Sequence, residues 1–274
     1  MSCSPESPPA PTLSRFRPPY RFAEPLPDDA LSLLEWGDAL IWWVGRDADA
    51  LARVDVLRRR PWGVALIVVL PEPERLGRLE HVLLRVRDLR PVGLLPCIPE
   101  VPPEAVAALL SYPPGDISVA LVHYLEERGA LADPGARACL RAVFVYSSDV
   151  TAVGALARRL AVSRRTLGRH FAAWGLPAPS RWLQLARVIR AVVRLQAERL
   201  TVTRAAFAAG YPDAFTFSNQ MKRLTGFRPS EATVRLGWQW VVEAWLERER
   251  SAGYFRWLRE APAAAARLDG KEGG

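Results

Sequence analysis

An α/β domain followed by an all-α domain with two helix-turn-helix units is the fold this 274-residue sequence predicts. Three observations point to it. Apolar runs of strand length alternate with helical periods from residue 30 to about 112; helices alone follow; and positive charge is concentrated between residues 151 and 235. In that stretch 15 Arg or Lys residues face only Glu198, Asp213 and Glu231, a net of +12 within a chain whose total is +8.

The elements can be justified in order. Residues 1–29 hold eight prolines among small and polar residues and are expected to form a disordered tail. ALIWWV (39–44) reads as a strand, DADALARVDVLRRR as a helix and GVALIVVLP as a second, buried strand. EPERLGRLEHVLLRVRDL is a helix with Leu76, Leu79, Leu83 and Val86 on one face, and PVGLLPCI is a third strand. Strands separated by helices of this length imply a parallel sheet with crossover connections. Helices then take over at VPPEAVAALLS, at DISVALVHYLEERG with Asp116 as its cap, and at GARACLRAVFVYS. The expected domains are therefore an α/β regulatory or docking domain over 30–148, an all-α domain over 149–235, a Trp-rich helical extension over 236–260 and a second disordered tail over 261–274.

Composition excludes several classes. No apolar run approaches the roughly 18 to 20 residues of a membrane helix, and no basic start with an apolar stretch marks an export signal, so a cytoplasmic location is expected. Cys3, Cys97 and Cys139 are odd in number and far apart, which disfavours a disulfide framework. With only His81, His123 and His170 besides, a metal centre is not expected, and neither GxGxxG nor GxxxxGK[ST] occurs to hold a nucleotide. No cofactor is expected. Cys97 lacks the flanking glycines of a nucleophile elbow and reads as a buried core thiol. His123 and His170 read as core histidines. The strand ending in proline at VALIVVLPEPERL gives the α/β part a weak likeness to a response-regulator receiver. The acidic cluster a receiver needs is missing, and Asp47 and Asp49 read as cap and solvent residues.

The informative stretch is VGALARRLAVSRRTLGRHFAAWG, residues 153–175. Val153, Leu156, Ala157 and Leu160 form a helical stripe, Ala161 and Val162 make a tight turn, and Ser163 is placed to cap a second helix. Leu167, His170 and Phe171 of that helix face inward, leaving Arg164, Arg165, Thr166 and Arg169 outward. In a helix-turn-helix unit these are the positions that meet base edges in the major groove, and an arginine fork matches guanine O6 and N7. A solvated basic face is the plain alternative, but it does not explain why acids are missing from this one segment. A phosphate backbone is the expected partner.

The same logic recurs at residues 201–230. Val202, Ala205, Ala206 and Ala209 build a first helix that Gly210 stops; Asp213 can cap the next, whose Phe217, Met221 and Leu224 point inward. Phe215, Thr216, Asn219, Gln220 and Arg223 are left on the other side. Between the units PSRWLQLARVIRAVVRLQ is one helix of about 17 residues, roughly 25 Å long, which suits two reading helices about one DNA turn, roughly 34 Å, apart.

This arrangement resembles the DNA-binding domain of the AraC/XylS family of bacterial transcription regulators. The matching positions run through Leu156, Ala157, Ser163, Leu167, Arg169 and Phe171, then Pro179, Trp182, Arg187 and Ala191 on the linking helix. They continue through Ala206, Gly210, Tyr211, Asp213, Phe217, Lys222, Gly226, Pro229 and Ser230. The resemblance implies base contacts from Arg165, Gly168 and Arg169 in the first unit and from Phe215, Thr216 and Asn219 in the second, with Ser218 and Lys222 on the DNA backbone. It also implies a transcription regulator rather than an enzyme, with double-stranded DNA as partner and RNA polymerase and a second subunit as further partners. The sequence departs from the family at Asn219, commonly Arg, at Met221, usually Phe, and at Gly168, Ala205 and one extra residue before Pro179. These departures keep open an interaction module with a decayed DNA reader; an enzyme using the α/β domain lacks any assembled nucleophile and base. Trp238, Trp240, Trp245 and Trp257 read as a cover on the domain's own core or as an interface.

Overall fold

The computed structural model describes residues 11–77 and 80–255. Expectations at Cys3, Leu79, Trp257 and the 261–274 tail, and for the side chain of Leu76, lie outside the described residues. The chain divides into two compact units, with the boundary between Leu110 and Ser111.

In the first unit the runs ALIWW and ALIVV become adjacent parallel strands, β3 (Ala39–Trp43) and β4 (Ala65–Val69), and β5 (Gly93–Leu95) extends the sheet beside β4. Every residue of β3 is buried, as a central strand covered on both faces requires. The expected crossover helix is α1 (Ala50–Leu57), capped by Asp49, which accepts from the Ala52 amide at 2.9 Å. Where one helix is predicted before β5, the structure has two, α2 (Pro73–Leu76) and α3 (Glu80–Val86); Val86 is buried and Leu83 half-buried, and the expected helix after β5 is α4 (Pro103–Ser111).

The expected α/β domain with its parallel strands β3, β4 and β5 is present, and the expectation of a disordered tail is corrected. Residues inside that tail form β1 (Leu13–Phe16) and β2 (Ala23–Pro25), giving a five-stranded mixed sheet in the order β2-β1-β3-β4-β5. β1 is antiparallel to β3 with Leu13 opposite Trp42 and Phe16 opposite Ala39. Proline content misled here because the four-residue run LSRF is proline-free and wholly buried, enough for one ladder. Tyr20 fastens the turn that follows, its hydroxyl donating to the Gly37 carbonyl at 2.7 Å. The core on one side of the sheet gathers Leu13, Leu40, Trp42, Leu66 and Val68 with Val54, Leu57, Val82 and Val86 from the helices.

Two site expectations in this unit are also corrected. Cys97 is exposed rather than a core thiol, because the strand before it ends at Leu95 and Pro96 turns the chain outward. Asp47 is not a solvent residue: it accepts from Arg53 Nε at 2.7 Å and Trp42 Nε1 at 3.1 Å and is nearly buried.

The second unit is helical, and it includes α5 (Ile117–Glu127) and α6 (Pro134–Tyr146), which the sequence reading assigned to the α/β domain. Their membership follows from their partners. Arg190 reaches back to cap α6, donating to Phe144 O at 2.6 Å and to Ser147 Oγ at 2.8 Å. Tyr124 of α5 and Arg128, which follows its last turn, both bond the buried Glu243 of α12 (Gln239–Ser251). α9 (Pro179–Ala197) is the spine, 19 residues and so about 28 Å long. Trp182 on α9 packs edge-on to Trp245 of α12 with ring centroids 4.6 Å apart. Trp238, Trp240 and Trp245 are all buried, so these tryptophans cover the unit's own core rather than presenting an interface. No helix among the described residues is long and apolar enough to cross a membrane.

Candidate nucleic-acid interface

The first helix pair is α7 (Val153–Arg159) and α8 (Arg164–Ala173). Leu156, Ala157, Leu167 and Phe171 are buried, fixing which face of α8 turns inward. Ala161 takes a left-handed φ of +54° in the turn between them, and the Val162 amide closes that turn on Ala157 O at 3.0 Å. Ser163 then caps α8, its hydroxyl accepting from the Thr166 amide at 3.0 Å. The outward face carries Arg164, Arg165 and Arg169, all exposed, with half-buried Thr166 and Gly168 among them. His170 is exposed too, which overturns its reading as a core residue. It precedes the buried Phe171 by one position and lies tilted beside Trp174, with ring centroids 5.6 Å apart. His123 is likewise exposed on α5, 3.5 Å from Glu127.

The second pair is α10 (Val202–Ala208) and α11 (Ala214–Thr225). Gly210 makes the turn at φ +75°, and Asp213 caps α11 by accepting from the Thr216 amide at 2.6 Å. Those hydrogen bonds, from the Thr216 amide first and its hydroxyl next, hold the Asp213 carboxyl below its usual range. Ala205, Phe217 and Met221 are each fully buried. Met221 and Ala205, departures from the family pattern, therefore leave a closed core. Phe215, Thr216, Asn219, Gln220 and Arg223 line one shallow depression on the outer face of α11, as the sequence places them. Phe215 is 75% exposed. Ser218 is half-buried and Lys222 exposed beside this face.

The structure sorts the 15 basic residues of this region into two groups. Six are engaged within the protein. Arg159 lies over Tyr146, Arg181 pairs with the buried Glu249, Arg190 caps α6, and Arg235 lies over Phe227 and Trp240. Arg187 donates to Gly210 O at 2.6 Å and lies 4.2 Å over the Tyr211 ring, and Arg223 donates to Gln184 Oε1 at 3.2 Å. The other nine are Arg158, Arg164, Arg165, Arg169, Arg194, Arg199, Arg204, Lys222 and Arg228. All nine are exposed, and among the described residues none makes a side-chain hydrogen bond, ion pair or ring contact.

Sequence reasoning missed the bracing role of Gln184 and Arg187. They stand three apart on α9 and reach the second pair from beneath, Arg187 at its turn and Gln184 at Arg223 of α11. Their signal was a polar i, i+3 stripe on an otherwise apolar helix, which periodicity alone assigns to solvent. Among the described residues no cluster of three His, Cys, Asp or Glu side chains could hold a metal ion.

Comparison with known proteins agrees with this geometry. Residues 156–234 match the family of helix-turn-helix domains of the AraC type, which spans α7 through the turn after α11. No curated protein matches the chain. Among solved structures, the xylose-binding transcription activator XylR is similar at 14% identity, with a TM-score of 0.33. That likeness covers 67% of this chain and 56% of the XylR chain, and it is too slight to carry a structural argument.

Proposed function

We propose that this chain, whose residues 156–234 match the AraC-type helix-turn-helix family, is a DNA-binding transcription regulator that sets both α8 and α11 into the major groove of one duplex. The observation that carries this reading is the outer face of α8. Arg164, Arg165 and Arg169 stand exposed and unengaged on a helix whose opposite face is locked by Leu167 and Phe171. Three exposed guanidiniums on one face of a helix, none of them in an ion pair among the described residues, suit a polyanionic partner. Arg165 and Arg169, one turn apart, take the base-reading role, each able to grip a guanine through O6 and N7. Arg164 and Thr166 at the capped end of α8, with Ser218 and Lys222 on α11, take phosphate-positioning roles. Phe215, Thr216, Asn219, Gln220 and Arg223 form the face that α11 presents.

The mechanism is non-covalent. Exposed cations displace counterions, two capped helices fix the register, and the N-terminal unit alters oligomerisation or contact with RNA polymerase. A second copy of the chain and an effector belong to that regulatory step. The test is selection of duplexes from a random pool by the full chain, followed by gel shifts on the selected site and on random DNA. Arg165→Ala or Arg169→Ala should weaken the selected site about 5- to 150-fold, the worth of one bidentate pair, and random DNA far less. Equal losses on both would defeat the base-reading assignment, and no binding even in dilute buffer would defeat the function.

A further inference from the structure

The two outer faces differ in chemistry. On α8 the reaching groups are guanidiniums; on α11 they are an aromatic ring, Phe215, and a carboxamide, Asn219, with Arg223 held back by its bond to Gln184 Oε1 at 3.2 Å. Thr216 is also occupied, since its hydroxyl and its amide both bond Asp213. Of the residues lining that depression, Phe215 and Asn219 are then the fully exposed ones with no polar engagement among the described residues; Gln220 is half-buried between them and Arg223, and Lys222 lies beside the face. Phe215 and Asn219 are spaced i, i+4, so they project from the same face one turn apart, about 5 to 6 Å between their Cβ atoms. Successive base pairs are about 3.4 Å apart along the duplex, which puts the two side chains against neighbouring base pairs rather than the same one.

We infer that α11 selects adjacent A·T pairs, with the Asn219 amide on the N6 and N7 of an adenine and the Phe215 ring against the C5-methyl group of a thymine, while α8 selects guanine. The inference rests on the DNA-reading function above and adds what each half of the site contains. A carboxamide carries one donor and one acceptor side by side, the complement of the donor and acceptor that adenine shows in the major groove, whereas guanine shows two acceptors. A ring that is 75% exposed on the first turn of a capped helix gains by covering the thymine methyl, the one apolar group on any base edge there. Neither side chain supports the fold, so both can be exchanged without disturbing the buried Phe217 and Met221 beneath them.

Single-atom changes in the DNA test this with the full-length wild-type chain. In the half of the selected site whose protection survives Arg165→Ala, replacing the contacted dT by dU removes only the methyl group and should weaken binding about 4-fold. Replacing the contacted dA by 7-deaza-dA removes only N7 and should weaken it about 10-fold. Phe215→Ala should erase the first effect and Asn219→Ala the second, each without changing the other. Asn219→Arg should move the preference at that position from adenine to guanine. Binding that still requires Arg165 and Arg169 but tolerates dU and 7-deaza-dA everywhere in the second half overturns this inference and leaves the DNA-reading function standing. Loss of all duplex binding overturns the function itself.

Discussion

Arg187→Ala is the perturbation that best separates the scaffold from the surface it presents. Arg187 lies on α9 and braces the second helix pair from beneath. It donates to Gly210 O at 2.6 Å and weakly to Ala209 O at 3.4 Å, and it covers the Tyr211 ring at 4.2 Å. A hydrogen bond from a charged donor is worth about 1.5–3 kcal/mol and a cation–π contact at an exposed site about 0.5–1 kcal/mol. The main bond is open to solvent, which favours the low end, so about 2 kcal/mol is expected. For a unit of this size that is a fall of roughly 4–8 °C in Tm. Because the lost bonds hold the turn that aims α11, binding to the second half-site should fall while binding to the first, read by α8, persists. Arg187→Lys retains charge but not the fork, and should recover less than half of the loss. Thermal unfolding followed by circular dichroism, with footprinting of both half-sites, measures each quantity. A change in Tm below about 1 °C together with an intact second footprint would refute the bracing role.

Four further outcomes are expected. Gly168→Ala on the outer face of α8 adds a Cβ that meets nothing within 4 Å, so it should stabilise the chain by about 0.5–1 kcal/mol in chemical denaturation; weaker DNA binding by this more stable variant would show that the α8 backbone lies close against the duplex. Tyr211→Phe should be neutral or stabilising by up to about 1 kcal/mol, since the buried hydroxyl has no hydrogen-bond partner among the described residues and the ring under Arg187 is retained; a loss of stability in thermal melts would show a bound acceptor. The depressed pKa of Asp213 means its cap contributes above the unfolded carboxylate value of about 3.9 and is lost as pH falls through its lower folded value. Asp213→Asn should keep the cap at neutral pH and flatten that part of an acid-unfolding curve. Finally, with nine unengaged cations in the region, the slope of log K against log salt should be no steeper than about −8, and a slope beyond −12 would mean that the six engaged arginines leave their partners on binding.

What could be read from the sequence depended on whether the signal was local. Ser163 and Asp213 were identifiable as caps because a cap is a three-residue relation, and both accept from the expected amide. The strands β3 and β4 were identifiable because two continuous apolar runs have few alternatives. β1 was not, since four residues of a proline-rich segment acquire their meaning only from the register with β3. Cys97 and His170 were misplaced for different reasons. Cys97 lies past the end of β5 at Leu95, where the turn of the chain decides exposure, and His170 lies inside α8 next to the buried Phe171 but one step round the helix from the inward row.

The candidate site shows the same division at the level of single charges. Composition locates 15 basic residues between 151 and 235 but treats them as equivalent. For most of the engaged ones the role depends on partners 22 to 68 residues away, as with Arg187 and Ala209 or Arg181 and Glu249, and no local pattern encodes such distances. Half of the arginines that close the fold lie on α9, and two of them, Arg187 and Arg190, satisfy the carbonyl ends of α10 and α6 that pack against it. The arginines on α8 have no such duty, because Ser163 caps its start and its inner row is complete with Leu167 and Phe171. Positive charge on α9 is thus a consequence of helices ending against a spine, while positive charge on α8 has no structural cause in the chain and is the part that a duplex explains.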